Sequence, residues 1–83
     1  MAVYVDNMKA KYRGMIMCHM IADTQTELLE MADKIGVQRK WIQDYGTSLE
    51  HFDICMSKRK KAVALGAIEI NMRDLVRMVK KKE

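Results

Sequence analysis

Five side chains in this sequence carry the functional groups of acid–base or metal chemistry: Asp6, His19, Asp23, His51 and Asp53. Carboxylates and imidazoles can hold a divalent metal or move protons near neutral pH. His51 and Asp53 stand two apart, so on a strand they share a face. Nothing resembles a zinc signature such as His-Glu-x-x-His, and no single element carries closely spaced ligands. An imidazole hydrogen-bonded to a carboxylate in the core is the simpler account of these residues. The sequence therefore implies no strong metal site and no cofactor. If the five do act together, the chemistry is metal-dependent phosphodiester hydrolysis, as in a phosphodiesterase or nuclease.

A second set of residues suits an anion. Ser57-Lys58-Arg59-Lys60-Lys61 opens an expected helix, with four cations in its first turn. A helix N-terminus already carries about half a positive charge and free N–H groups, so cations there are disfavoured unless an anion relieves them. Ser57, Lys58, Arg59 and Lys60 are thus expected to bind phosphate. Arg39-Lys40-Trp41 offers a ring for base stacking beside cations for phosphate, with Arg39 and Trp41 the contributing residues. Thr24 joins this ligand-binding set if its turn lies on the same sheet edge as the Met56–Lys58 turn, which requires their strands to be parallel. Otherwise Thr24 and Glu27 simply cap their helix. Met15, Met17 and Met20 flank Cys18 and His19, and are read as core filler rather than copper ligands.

The elements that must position these groups are punctuated by four glycines and no proline. Ala2–Asp6 reads as a strand, residues 7–14 as a loop and Met15–Ala22 as a second strand, apolar on both faces. Thr24-Gln25-Thr26-Glu27 is a capping box, Leu28, Ala32 and Ile35 share a helical face, and Gly36 ends the helix, giving Gln25–Ile35. Val37–Ile42 reads as a third strand and Asp44–Glu50 as a polar loop. Phe52, Ile54 and Met56 alternate as a fourth strand. Ser57 is the expected cap of a helix ended by Gly66. Ile68 and Ile70 mark a last short strand, and Asn71 caps a final helix with Met72, Leu75, Val76 and Val79 as its apolar stripe. The expected fold is α/β (α+β possible), with a small mixed sheet of four to five strands and two to three helices packed on it.

Length and composition bound the rest. The 83 residues form one domain, with 72–83 a basic C-terminal helix. A chain of this size buries about 60–65% of its unfolded surface, too little for an enclosed cavity plus a separate cofactor domain. Charge is uneven: residues 1–56 hold six Lys/Arg against eight Asp/Glu, and residues 57–83 hold nine against three. The basic third implies an anionic partner. Apolar Met15–Ala22 is far shorter than a membrane span, and no signal-peptide pattern precedes it. Two cysteines outside any Cys-x-x-Cys motif fit a reducing cytoplasm. A small core with no disulfide or metal staple also points to a homo-oligomer.

Several of these stretches occur together and in this order in one family. Tyr4-Val5-Asp6, His19 through Thr24 with Glu27-Leu28, Gly36 through Trp41, His51-Phe52-Asp53-Ile54, Ser57-Lys58-Arg59 and Leu65-Gly66-Ala67 resemble DUF4031 over about residues 2–71. The resemblance implies a small accessory protein of a bacteriophage or bacterial cytoplasm, and no activity. By context it extends to countering a host defence system. From the residues, the favoured function is non-enzymatic binding of a phosphate-bearing ligand, either a nucleotide, a nucleotide signal or nucleic acid. The metal-dependent phosphodiesterase and a protein-only inhibitor of a host nucleic-acid-binding machine are the alternatives.

Overall fold

The structure is a computed structural model and describes residues 2–82. Five strands and three helices follow one another as β1 (Val3–Val5), β2 (Ala10–Tyr12), β3 (Met15–Ala22), α1 (Gln25–Ile35), a 3-10 turn (Arg39–Trp41), β4 (Phe52–Cys55), α2 (Met56–Ala64), β5 (Ile68–Glu69) and α3 (Met72–Lys82). The sheet is mixed, as the alternation of strands and helices predicts. β3 is its centre: β4 pairs along one side, while β1 and β2 pair antiparallel along the other. β5 adds to β1 in parallel.

β1 and β2 run along the same side of β3, separated by a bulge. Val5 faces Met20 and Ala10 faces Met17, so the four residues 6–9 stand opposite only Cys18 and His19. The extra residues turn the chain at Asp6, whose N–H still reaches the His19 carbonyl at 3.1 Å. Such an insertion re-aims a side chain locally. Residues 10–12 form a strand rather than the expected loop. Arg13 and Gly14 both take positive φ (49° and 78°). That is the geometry of a two-residue hairpin turn, which forces Tyr12 opposite Met15. Ala-Lys-Tyr is exposed on both faces, so it has no alternation to read.

Val37–Ile42 is not a strand. Gln38, Arg39 and Lys40 are a polar run, and the chain closes a 3-10 turn through Trp41 N–H to Gln38 C=O at 3.1 Å. Val37 and Ile42 still pack against the core. α1 has the expected bounds because both its signals are local. Thr24 Oγ1 accepts from the Glu27 N–H at 3.2 Å, and Gly36 takes the left-handed conformation at φ 82°. α2 starts at Met56, directly after β4, rather than at a Ser57 cap. In α3, Asn71 Oδ1 accepts from the Asp74 N–H at 2.8 Å, the cap expected there.

Alternation along β3 and β4 divides the sheet into two chemically different faces. Cys18, Met20, Phe52 and Ile54 point to one side and are buried with Leu28, Ala32 and Ile35 of α1 and Ala62 of α2. Met17, His19, Asp53 and Cys55 are only partly buried on the other. α3 crosses that second face near Ile21, with Val79 buried and Lys82 Nζ donating to the Ala22 carbonyl. The strand Met15–Ala22 is therefore covered on both faces only in its second half; Met15 and Ile16 are exposed. Among the described residues no helix is long and apolar enough to cross a membrane.

The two thiols report this division. Burial pushes Cys18 up to about 11, with the Asp6 charge adding to it and Arg59 partly offsetting it. The Ser57 hydroxyl and the first amides of α2 lower Cys55. Iodoacetamide at mildly alkaline pH should modify Cys55 and leave Cys18 intact in the native protein, as read by peptide mass mapping. Equal modification of both would contradict the two-faced sheet.

Candidate functional site

The site is built on the strand face opposite the core. Register places His19 of β3 directly across from Asp53 of β4, and His51 lies two residues before Asp53 on the same face. His51 is held from behind by a bridge to Gln43, with N–H···O contacts of 2.8 and 3.1 Å. The loop before it is anchored through Glu50, whose carboxylate accepts from Gln25 Nε2 at 2.9 Å and from the Gly46 N–H at 3.1 Å.

Each imidazole has its Nδ1 occupied. The Asp6 side chain is fully buried and folds back from the bulge. Its Oδ1 accepts from the main-chain N–H of His19 at 2.8 Å and of Met8 at 3.3 Å. Its Oδ2 lies 2.7 Å from His19 Nδ1. A carboxylate already accepting two amides takes the ring proton as acceptor, so His19 carries its proton on Nδ1. His51 Nδ1 lies 2.7 Å from the Leu49 carbonyl, and a carbonyl cannot donate. When either ring is neutral, its Nε2 is therefore a bare lone pair.

Both lone pairs face the same carboxylate oxygen. Asp53 Oδ1 is 3.5 Å from His51 Nε2 and 3.9 Å from His19 Nε2. The rings meet edge to face with centroids 5.2 Å apart. Asp53 Oδ2 is fixed by Gln43 Nε2 at 2.6 Å, but Oδ1 is buried without a hydrogen-bond partner among the described residues. Three acceptors thus converge with their ligand atoms within 4.8 Å of one another. A proton shared at 3.5–3.9 Å makes no effective hydrogen bond. Ligands about 2.0–2.2 Å from one tetrahedral ion stand roughly 3.4 Å apart. The Asp53 oxygen has that spacing from His51 (3.5 Å) and a wider one from His19 (3.9 Å), with all three ligand atoms within 4.8 Å. The set of two imidazoles and one carboxylate leaves coordination positions open, and Asp6 and the Leu49 carbonyl are the outer partners that orient metal-binding histidines.

Two spaces adjoin this centre. On one side Leu49, Leu75 and Val79 form a small apolar pocket of about 110 Å³ against both imidazoles. On the other, a cleft of about 660 Å³ includes Asp53 in its lining and runs between the β2–β3 hairpin and the 3-10 turn.

Of the five residues singled out for chemistry, the fold gathers His19, His51 and Asp53, with Asp6 behind His19. The weak spacing along any one element is replaced by register across two strands. Asp23 is not part of the cluster. It lies beyond the far end of β3, where Oδ2 accepts from the Ala2 N–H at 2.8 Å and the Tyr4 hydroxyl at 3.3 Å. That contact adds to burial in raising the Tyr4 phenol above its ordinary value. Thr24 caps α1, and because β3 and β4 are antiparallel its turn sits at the opposite end from α2.

The basic run at α2 has local partners. Arg59 Nε donates to the Asp6 carbonyl at 3.0 Å and Nη1 pairs with Glu69 at 2.8 Å, which ties α2 to β1 and β5. Ser57 Oγ lies 3.2 Å from Cys55 Sγ. Lys58 Nζ reaches the space beside Gly36, and Lys60 is exposed. Because the helix starts at Met56, the first turn holds two cations, Lys58 and Arg59, rather than four. Arg39 forms a forked pair with Asp33 at 2.7–3.2 Å, which holds that carboxyl below its usual range. Trp41 is 63% exposed and lines the larger cleft.

A family model described as a protein of unknown function, DUF4031, matches residues 3–82. The chain belongs to the DUF4031 family. The match runs through α3, beyond the 2–71 span of the sequence resemblance, so the helix closing the imidazole pocket belongs to the shared DUF4031 unit. No curated protein and no solved structure matches the chain.

Asp6→Asn separates orientation from folding in this DUF4031 chain. Its oxygen keeps the two amide contacts, but its NH₂ faces His19 Nδ1 and moves the ring proton to Nε2. Zinc affinity should fall about 10–100-fold in a folded protein. Asp6→Ala should instead cost roughly 2–4 kcal/mol in urea unfolding, because buried donors lose their acceptor. Unchanged zinc affinity in Asp6→Asn would remove Asp6 from the site.

Proposed function

We propose that this DUF4031 protein is a metal-dependent phosphoesterase, with His19, His51 and Asp53 holding one divalent transition-metal ion. The observation that carries this is the buried, unpartnered Asp53 Oδ1 facing two imidazole lone pairs whose protons are fixed elsewhere. The sequence alone favours a non-enzymatic binder of a phosphate-bearing ligand. The geometry keeps the phosphate and favours hydrolysis, because a pure binder needs only converging donors and here acceptors converge.

Substrate chemistry follows from the adjoining cleft. Lys11 and Arg13 line it, and Asp53 is the one acidic lining residue among those described. Such a cleft attracts an anion and directs it at the metal ligands. A divalent ion held by His19, His51 and Asp53 would supply Lewis acidity toward a phosphoryl oxygen and acidify water. In the hydrolysis proposed, a water oxygen bonds to phosphorus and gives up one proton to solvent, the bond from phosphorus to the leaving oxygen breaks, and that oxygen takes up one proton from solvent, so protons balance. The apolar wall of Leu49, Leu75 and Val79 strengthens the electrostatics by excluding water from the rings' other side.

Hydrolysis of bis(p-nitrophenyl) phosphate tests the reading. Protein loaded with zinc or manganese should turn over, stop on chelation and recover on reloading. Asp53→Asn should lose at least about a hundredfold, more than removing an outer partner costs. A loaded protein with no turnover above Asp53→Asn would contradict it.

A further inference from the structure

The larger cleft carries features that hydrolysis of a simple phosphate ester does not need. Its volume of about 660 Å³ lies within the range of small-molecule sites, roughly 300–1,000 Å³. Two aromatic rings line it, Tyr12 from the hairpin and Trp41 from the 3-10 turn, and both are more than half exposed. A singly exposed ring such as Tyr45 needs no explanation, but two exposed rings lining one cleft offer a surface for another ring. Each already has a cation over one face: Arg13 lies 5.4 Å from the Tyr12 centroid, and Lys40 Nζ lies 5.1 Å from the Trp41 centroid. A planar ring has a second face, and both residues are more than half exposed. Gln43, also in the lining, has an amide already ordered by Asp53.

We infer that the cleft binds a nucleoside phosphate. The base stacks on Trp41 and Tyr12, and the phosphate lies toward Lys11, Arg13 and the Asp53 end. Arg39 is not part of this site, because Asp33 holds it. Lys11 and Arg13, on the hairpin, are the cations of the lining. Stacking tolerates any base, so the site selects nucleosides over other phosphate esters without selecting among bases. This inference names the substrate class and rests on the phosphoesterase reading for what happens next, but binding itself requires no metal.

Trp41 is the only tryptophan in the sequence, so its fluorescence reports the cleft directly. The full chain, stripped of metal with EDTA, is titrated with adenosine 5′-monophosphate, adenosine, ribose 5-phosphate, inorganic phosphate and a single-stranded oligonucleotide. The monophosphate should quench saturably and bind at least about tenfold more tightly than ribose 5-phosphate, the share of one stacked base. A Lys11→Ala/Arg13→Ala variant should bring the monophosphate down to the affinity of adenosine. By calorimetry, Trp41→Leu should lose about tenfold for both. Equal affinity for the monophosphate and ribose 5-phosphate would overturn the inference. So would tight oligonucleotide binding with no mononucleotide binding, or an absence of binding by any probe. Mononucleotide binding that appears only after zinc is restored would assign the ligand to the metal ion and overturn it too. Because the titration is metal-free, its failure is distinct from a failure of metal-dependent turnover.

Discussion

The Asp6–His19 interaction organises this molecule. A carboxylate with no solvent exposure accepts both the main-chain N–H and the ring N–H of the same histidine. Burying such a group is costly unless its acceptors are satisfied, and here the bulge at 6–9 brings the donors to it. The main-chain bond replaces sheet pairing where the chain between β1 and β2 bulges away from β3. The ring bond fixes the tautomer and direction of His19. Arg59 then locks the same point from outside, joining the Asp6 carbonyl to Glu69 and so fastening α2 and β5 to the bulge. One local irregularity thus serves packing and site geometry together.

The two faces of the sheet divide those tasks. Packing is concentrated where β3 and β4 face α1 and α2. The other face is left with a thinner cover, α3, whose Leu75 and Val79 meet the imidazoles while Met72 and Val76 stay about half exposed. A small chain cannot enclose a deep active site, but it can set polar groups on a sheet and wall them on one side. The open side is the cationic, aromatic cleft. Charge also follows this arrangement only in part: the conspicuous basic residues of α2 hold the fold together at Arg59, while the cations beside the site come from the hairpin.

What the sequence reveals is what local rules determine. Thr24 and Gly36 bracket α1 because a cap and a left-handed residue act within a few positions. The face shared by His51 and Asp53 follows from strand alternation. What it conceals is register. Nothing local places His19 opposite Asp53, since that depends on β4 pairing antiparallel to β3, and nothing local aims Asp6, since that depends on a bulge between two short strands. Ala10–Tyr12 lacked alternation, and the Arg13-Gly14 turn that makes it a strand was readable only from Gly14. The Ser57–Lys61 run drew attention by composition, yet the helix begins earlier than its serine suggests, so Lys60 and Lys61 fall outside the first turn and Arg59 is engaged by Asp6 and Glu69.

The central claim is that two imidazoles and one carboxylate form a metal centre, and X-ray absorption on zinc-loaded protein addresses it most directly. The account predicts a first shell of nitrogen and oxygen at about 2.0–2.2 Å with the outer-shell scattering of two imidazoles, which His51→Ala reduces to one. A sulfur shell near about 2.3 Å, placing the ion on a cysteine, or a shell without imidazole scattering would contradict it.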